Sequence, residues 1–418
     1  MSKTFELHEL KKTYYRVPGG NILVYEPVDV ENCPQASIMV ATMHGGLGRT
    51  LEHPFMEAIA KCGFRAAHCV PDVASFIEQF QIMNRCMDKL YGLDGVKKIV
   101  LMGQSRGAGV MSGYQKIAEN GVQVFQGPER RLPFPDMKLR PADGLMLLDA
   151  NFGFMVMHLM SLNPAIIEEG NSLKLNKTLD PLQPANGFVP GGKSHYTDEF
   201  KHRFLMAQRD RYLRLLDLAE ERWEKIKNGE GNYADNEPFI IPDMIGYNHS
   251  PKLFSTDMSM LAHTKEAWPL VHADGSVTTQ VVPSVRFPQE NPDMPGNLRA
   301  ALQTTVKDFL WLELEVTEDY DYGEDYVAGI NFESSVTCSA GNVKMISCPS
   351  LFMGHTAGYE YINAEWAYNN SIAADKSIAF SEGLTHGWGV LEPEKYGDAL
   401  GAQAQYVANW LTEPGRVM

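Results

Sequence analysis

The strongest constraint on the fold is an alternation of strand-like and helix-like segments over about the first 150 residues. Apolar runs such as ASIMVATM and KKIVLMG are each followed by a segment with helical spacing of its apolar residues. This alternation predicts βαβ units and a mainly parallel central sheet. The carboxyl ends of parallel strands meet at one edge of a sheet, so the loops after these strands are where chemistry is expected.

The alternation stops after about residue 153 and returns near residue 341. We therefore predict that residues 1–153 and 341–418 form one core domain. Residues 154–340 are predicted to be an inserted, mostly helical cap domain, placed between strands of the same sheet. Within it we expect a hairpin with its turn at Asp274-Gly275, and a helix from about Leu298 to Leu314.

Composition excludes several classes of function. The chain has 418 residues, is 44% hydrophobic and 21% charged, and carries a formal charge of −15, so clustered basic residues for nucleic-acid binding are not expected. There is no apolar leader and no membrane-spanning apolar stretch, which predicts a soluble, cytoplasmic protein that binds no membrane. Six cysteines without CxxC spacing are expected to be reduced, buried thiols.

The string GQSRGAG joins a predicted strand to a predicted helix and contains a candidate nucleophile, Ser105. A serine on such a turn must adopt strained backbone angles, and Gly103 and Gly107 allow the strand and the helix to approach each other. This context favours a nucleophile elbow. The alternative is a tight strand-to-helix turn with an incidental serine.

A second glycine-rich string, MHGGLG, also follows a predicted strand. Acyl transfer needs two N–H donors directed at the developing oxyanion. We expect these to be the backbone amides of Arg106, which follows the nucleophile, and of Gly46. His44 is expected to fix this loop rather than to act as a base.

A serine nucleophile needs a general base, and THGWG supplies His386 directly after the last predicted strand. That strand would deliver the imidazole to the same sheet edge as the elbow. His355, His53 and His68 are weaker candidates.

The acid that orients the histidine is less well defined by the sequence. GHTAGYE, after the penultimate strand, contains Glu360, and LLDANFG, after the strand that follows the elbow, contains Asp149. A carboxylate in either loop could orient the imidazole and stabilise its cation. We favour Glu360 and keep Asp149 as the alternative. Without a catalytic role, Glu360 would sit at a helix N-terminus and Asp149 would end its strand.

Together VPGGNILVYEP, MHGGLG, GQSRGAG, PSLFMGHTAGYE and EGLTHGWG resemble the α/β-hydrolase superfamily, in the order in which that family carries them. The resemblance implies the α/β-hydrolase fold, a Ser-His-acid triad and an oxyanion hole. An insertion at this position is where such enzymes carry a cap or lid. The acid loop departs from the commoner aspartate-containing turn, so Asp149 remains a candidate for the acid of the triad.

These features favour a serine esterase, which cleaves a small-molecule carboxylic ester through an acyl-enzyme on Ser105. Cap residues Phe254, Met258 and Trp268 are candidates for the substrate pocket, although such residues could equally form the core of the insertion. The alternatives are a C–C bond hydrolase or amidase of the same fold, and a non-catalytic binding protein. No cofactor or metal is implied, and a homodimer is possible.

Overall fold

The computed structural model describes most of the chain. The described residues are 3–44, 50–126, 130–169, 171, 174–244, 253, 255–288 and 301–417. No helix among them is both long enough and apolar enough to cross a bilayer.

Most strands of the described chain belong to one central sheet. The strands are β1 (Leu10–Val17), β2 (Gly20–Pro27), β3 (Ile38–Met43), β4 (Arg65–Pro71), β5 (Lys98–Gly103), β6 (Gly144–Leu148), β7 (Pro238–Pro242), β8 (His263–Val271), β9 (Val277–Pro283), β10 (Ala301–Thr305), β11 (Glu315–Tyr322), β12 (Val327–Asn331), β13 (Ser350–His355) and β14 (Lys376–Ser381). The helices are α1 (Pro54–Lys61), α2 (Phe76–Tyr91), α3 (Arg106–Asn120), α4 (Phe154–Ser161), α5 (Asp198–Lys227), α6 (Val306–Trp311), α7 (Ser339–Asn342), α8 (Asn363–Asn370), α9 (Pro393–Tyr396) and α10 (Ala399–Leu411).

The sheet has ten strands in the order β1-β2-β4-β3-β5-β6-β13-β14-β8-β9. All neighbours from β4 to β8 run parallel, whereas β1, β2 and β9 join antiparallel. This is the mainly parallel sheet flanked by helices that the alternation predicted, and the prediction of an α/β-hydrolase fold is confirmed. The loops after β5, β6, β13 and β14 all emerge at the same edge.

Both faces of the central strands are buried, which explains why their sequences are continuously apolar. Along β3, Met39 and Ala41 pack into the hydrophobic cluster that contains α2 and α3. Ile38 and Val40 point to the other face and join the cluster that contains α1 and α10. The alternation of side chains across each strand thus builds two hydrophobic layers around one sheet.

The structure differs from the predicted domain division in the hairpin. Its turn lies at Asp274-Gly275, as expected, and Gly275 has φ +81°. However, the hairpin does not belong to a separate cap, because β8 pairs in parallel with β14 and extends the central sheet. The sequence pattern identifies two strands and a turn, but it carries no information about the sheet edge that they join. Burial of Leu270 and Val271 stabilises this attachment.

The predicted helix at 298–314 is also wrong in part. Residues 298–300 lie outside the described residues, 301–305 form β10, and only 306–311 are helical. β10 pairs with β7 in a small two-stranded sheet, and this pairing overrides the local helical spacing. The other small sheet pairs β11 with β12. All six cysteines are free thiols, and five of them are buried.

The two ends of the inserted segment lie against each other. A Cβ atom on Gly153 would come within 2.7 Å of Cys338 Sγ, and the backbone amide of Met155 donates to Thr337 Oγ1 at 3.2 Å. Gly153 directly precedes the segment and Thr337 lies close to its end. The chain therefore leaves the core and returns to it at adjoining points.

Candidate active site

Ser105 lies on a strained turn between β5 and α3. Its backbone angles are φ 54° and ψ −131°, which a residue with a side chain rarely adopts, and its amide donates to the Asp149 carbonyl at 3.2 Å. The flanking glycines are needed for space. A Cβ on Gly103 would lie 2.6 Å from Ala108 Cα, and one on Gly107 would lie 2.8 Å from the Met43 carbonyl oxygen. This is the local geometry of a nucleophile elbow.

The remaining glycine of GQSRGAG has a different use. A Cβ on Gly109 would lie 2.5 Å from the Thr337 carbonyl oxygen, so this glycine permits the segment that returns from the insertion to pack directly on α3. One turn further along, a Cβ on Gly113 would meet Val336 at 2.9 Å. The helix that carries Ser105 at its N-terminus is therefore fixed from two sides.

The side chain of Arg106 is directed away from the oxyanion position. Its guanidinium lies 4.5 Å from the ring centre of Phe76 and 4.4 Å from that of Phe154, and it donates to the Ala74 carbonyl at 2.6 Å. Arg106 is the first residue of α3, and helix N-termini present backbone N–H groups outward. Its amide is thus the part available to the site. The predicted second donor, Gly46, lies outside the described residues.

His386 reaches the sheet edge on the loop after β14. Its Nδ1 lies 2.5 Å from Asp149 Oδ2. The side-chain amide of Gln104, the residue before Ser105, donates to the His386 carbonyl at 2.8 Å. Two residues on, Trp388 adopts φ +69° and stacks on Phe55 at 5.1 Å between ring centres. The histidine loop is therefore anchored both to the elbow and to α1.

Asp149, directly after β6, is buried, and both of its carboxylate oxygens are engaged. Oδ2 accepts from His386, and Oδ1 accepts from the His355 backbone amide at 2.9 Å. Burial would raise the pKa of this carboxyl, but His355 and His386 hold it below its ordinary value. Asp149 is consequently an ionised partner for the His386 imidazole, and Nδ1 must be the protonated ring nitrogen.

The expectation that Glu360 would orient the histidine is not met. Glu360 Oε2 accepts from the Phe152 backbone amide at 2.7 Å, and the hydrogen bond of His386 goes to Asp149 instead. The loop after β13 has a glycine where it passes Asp149: a Cβ on Gly358 would lie 2.8 Å from Asp149 Oδ2. That loop therefore packs over Asp149 and carries Glu360 past His386. The sequence placed both carboxyls on the correct edge but could not decide which of them would meet the imidazole.

His355, one of the weaker candidates for the base, is held in a neutral structural role. Its Nδ1 donates to the Thr385 carbonyl at 3.0 Å, and its Nε2 accepts from the Gln403 side chain at 3.0 Å. Burial lowers the pKa of His355, because a charged ring would lose its hydration. Both ring nitrogens are thus used, and the residue serves the site through its backbone amide.

The other two histidine candidates lie on the α1 side of the sheet. The backbone amide of Met56 donates to His53 Nδ1 at 3.4 Å, so His53 caps α1, and His68 Nδ1 donates to the Leu51 carbonyl at 2.8 Å. These contacts give both residues structural roles.

Of the predicted pocket residues, Trp268 is the one for which contacts are defined, and it has a packing role. Phe254 lies outside the described residues, and Met258 is half-buried in the turns before β8. Trp268 lies on β8, where its indole N–H donates to Glu365 Oε1 at 2.7 Å and its ring meets Tyr368 edge-on. Both partners lie on α8, so Trp268 packs the hairpin against that helix. Sequence composition alone cannot distinguish this packing role from a pocket wall.

Gln104 and Gly358 are the contributors that sequence reasoning missed. Gln104 is an unspecified position inside the elbow motif, and Gly358 lies in a loop whose acid, Glu360, was the more obvious candidate. A usable signal existed for Gly358, since a glycine next to a candidate acid marks a close approach of the backbone.

One further cluster of possible metal-binding side chains lies near the N-terminus, in His8, Asp29 and Cys33. Its geometry does not suit coordination. The Cys33 sulfur is 3.7 Å from both ring nitrogens of His8, so it lies over the ring rather than along a nitrogen lone pair. Burial and the neighbouring Asp29 raise the pKa of Cys33, which keeps the thiol protonated.

No family model matches the chain, and no curated protein matches it. Similar solved structures include DcsB in complex with its substrate analogue (11% identity, 96% of this chain and 98% of that one, TM-score 0.44). They also include the siderophore hydrolase EstB from Aspergillus fumigatus (12%, 97% and 98%, TM-score 0.44) and Est1E from Butyrivibrio proteoclasticus (10%, 96% and 97%, TM-score 0.39). At such low identity and TM-score, the fold assignment rests on the strand order of this chain, and its function must be argued from its own site.

Proposed function

We propose that the protein is a serine hydrolase that cleaves carboxylic esters through an acyl-enzyme on Ser105. The observation that carries the proposal is the coincidence of two features at one sheet edge. Ser105 has positive φ on a strand-to-helix turn, and the Nδ1 of His386 hydrogen-bonds Asp149 at 2.5 Å. A positioned nucleophile, a base and an orienting carboxylate are the three parts that acyl transfer requires.

The direction of proton transfer follows from the tautomer. Asp149 is ionised and accepts from Nδ1 of His386, so Nε2 carries the lone pair that takes the proton of Ser105 as its Oγ attacks the ester carbonyl. The resulting imidazolium is stabilised by the buried Asp149 carboxylate. His386 then returns the proton to the leaving alcohol, and a water activated by the same nitrogen releases the acid from Ser105.

The developing oxyanion needs preorganised donors. In this proposal the amide of Arg106, at the N-terminus of α3, is one donor, and the amide of Gly46 is the other. The side chain of Arg106 is held by two aromatic rings and takes no part.

A fluorophosphonate probe tests the nucleophile. We expect wild-type protein to be labelled at Ser105 and to hydrolyse p-nitrophenyl esters. The Ser105→Ala variant should show neither labelling nor hydrolysis. Ser112→Ala is a matched control, because Ser112 lies on the same helix with its hydroxyl bonded to the Ala108 carbonyl. Labelling that persists in Ser105→Ala, or folded wild-type protein that neither reacts nor hydrolyses any ester, would refute the proposal. Cleavage of anilides or β-diketones without cleavage of esters would refute the choice of substrate.

A further inference from the structure

A small cavity of about 10 Å³ borders the His386–Asp149 pair. Its volume suits one water-sized group. The lining residues come from the loops after β6, β13 and β14 and from α4: they are Asp149, Asn151, Met157, Tyr359, Glu360 and His386. The cavity therefore lies beside the predicted base and not on the far side of the sheet.

Two oxygen atoms of the cavity lining have no hydrogen-bond partner among the described residues. These are Glu360 Oε1 and Asn151 Oδ1, and both residues are buried. The other groups of these side chains are engaged: Glu360 Oε2 accepts from the Phe152 amide, and Asn151 Nδ2 contacts Met157 Sδ. Buried polar atoms almost always have a partner, so these two oxygens point to a group that the site is built to bind.

The two oxygens differ in hydrogen-bonding character. Burial raises the pKa of Glu360 to about 8, and the nearby negative charge of Asp149 acts in the same direction. Glu360 is therefore a neutral carboxylic acid at pH 7. Since Oε2 is occupied as an acceptor, the proton resides on Oε1, which becomes a donor. Asn151 Oδ1 remains an acceptor.

A hydroxyl group matches this pair better than a charged group does. One hydroxyl both accepts from Glu360 Oε1–H and donates to Asn151 Oδ1. A substrate carboxylate would face the Asn151 oxygen and the Asp149 charge, and an ammonium group brings more donors than the two oxygens can satisfy.

We propose that Glu360 and Asn151 form a subsite that binds one hydroxyl group of the alcohol part of the ester. The assignment to the alcohol part rests on the proposed function. His386 delivers its proton to the leaving alcohol, so the first carbons of that alcohol lie next to this histidine. The preferred substrates are then esters of diols or polyols. Their free hydroxyl is on the carbon next to the one that bears the ester oxygen.

Pairs of esters that exchange a hydroxyl for a methyl group test this subsite. We would compare 2-hydroxyethyl butanoate with propyl butanoate, and ethyl 3-hydroxybutanoate with ethyl 3-methylbutanoate, by titrating the acid released. For wild-type protein we expect kcat/KM to favour 2-hydroxyethyl butanoate over propyl butanoate about tenfold, the size of one hydrogen bond. The second pair, which moves the hydroxyl to the acyl part, should give a ratio near one.

Glu360→Met and Asn151→Leu remove the donor and the acceptor with little change in volume. Each should bring the first ratio close to one, because kcat/KM falls more for 2-hydroxyethyl butanoate than for propyl butanoate. Glu360→Gln keeps an N–H donor and should retain part of the preference, which also covers the case in which an apolar variant fails to fold.

Three results would overturn the subsite. The first is a wild-type ratio near one for 2-hydroxyethyl against propyl butanoate. The second is a preference confined to the acyl pair. The third is an equal loss on all esters with an unchanged ratio in the variants, which would mean that the cavity holds a structural water. Absence of hydrolysis of every ester, together with no labelling of Ser105, would instead overturn the proposed function and this subsite with it.

Discussion

Asp149 and Glu360 are two buried carboxyls at the same sheet edge, yet their surroundings give them opposite states. Asp149, after β6, accepts hydrogen bonds from the His386 ring and the His355 amide, and its pKa is lowered. Glu360, after β13, accepts one hydrogen bond from Phe152, and its pKa is raised to about 8. Burial raises the pKa of both, so the neighbouring groups decide between them: His355 and His386 lower the pKa of Asp149, whereas the negative charge of Asp149 raises the pKa of Glu360 further. A place in a loop at the same sheet edge as His386 therefore does not decide which acid is hydrogen-bonded to its ring.

The largest expected effect separates the two carboxyls by activity. Asp149→Asn should lower kcat on p-nitrophenyl esters by about 10³- to 10⁴-fold, because an amide at this position no longer holds Nδ1 as the protonated nitrogen. Glu360→Gln should lower kcat by less than about tenfold, since it contacts Phe152 rather than His386. Steady-state kinetics on both variants check this. A larger loss in Glu360→Gln than in Asp149→Asn would reverse the comparison.

The second effect is the pH dependence of stability that the protonated Glu360 should cause. Glu360 is protonated in the folded protein up to about pH 8 but ionises near 4.5 when unfolded, so between these values the unfolded state binds fewer protons. The stability of wild type relative to Glu360→Gln should thus be greatest below pH 4.5 and fall by about 5 kcal/mol as the pH rises to about 8. Denaturant titrations of both proteins at several pH values measure the difference. A difference that does not change with pH would mean that Glu360 is ionised in the fold.

The third effect probes the loop that separates them. Gly358→Ala would place a methyl group 2.8 Å from Asp149 Oδ2, which should cost about 1–3 kcal/mol of stability and lower kcat by displacing the carboxylate from His386. Gly387→Ala is the matched control, because no described atom lies within 4 Å of its Cβ position. Thermal unfolding and kcat are the measurements. Equal behaviour of the two variants would show that the loop can yield without disturbing Asp149.

The smallest effect concerns the link between the elbow and the histidine loop. Gln104→Leu removes the hydrogen bond to the His386 carbonyl and should lower kcat about three- to tenfold, with little change in KM. Gln123→Leu, at an exposed residue three positions beyond the C-terminal end of α3, should leave both constants near their wild-type values. A change in KM alone would indicate that Gln104 acts on substrate binding instead.

The sequence predicted the central sheet and the edge at which Ser105, Asp149 and His386 lie, because both depend on local patterns. Buried strands such as β3 and β5 are continuously apolar, and the glycines around Ser105 report a close approach that can be recognised within seven residues. The pairing of His386 with Asp149 is different in kind. It depends on how the loop after β13 packs, which involves Gly358 and residues about 200 positions away in sequence from Asp149.

The same limit explains the errors in the inserted segment. Alternation and the Asp274-Gly275 turn identified the β8–β9 hairpin. Its pairing with β14 depends on which strand edge of the folded sheet is unpaired, and local sequence carries no information about that. Trp268 was predicted in the substrate pocket because aromatic residues are common there, and its contact with Glu365 became visible only once the hairpin was placed. Residue type predicted the secondary structure of these segments, whereas the sheet topology determined which residues they contact.

The contact between Gly153 and Cys338 has a consequence for how this chain can vary. A segment whose ends already touch imposes no span on the core, and the entropy of closing such a loop rises by only about 0.6 kcal/mol for each doubling of its length. Insertions, deletions or exchange of the intervening elements would then leave the position of Ser105 unaffected, provided that Thr337 keeps its packing on Gly109 of α3 and the β8–β9 hairpin is retained. The chain between Gly153 and Thr337 can therefore vary in length without moving α3, the helix that begins directly after Ser105.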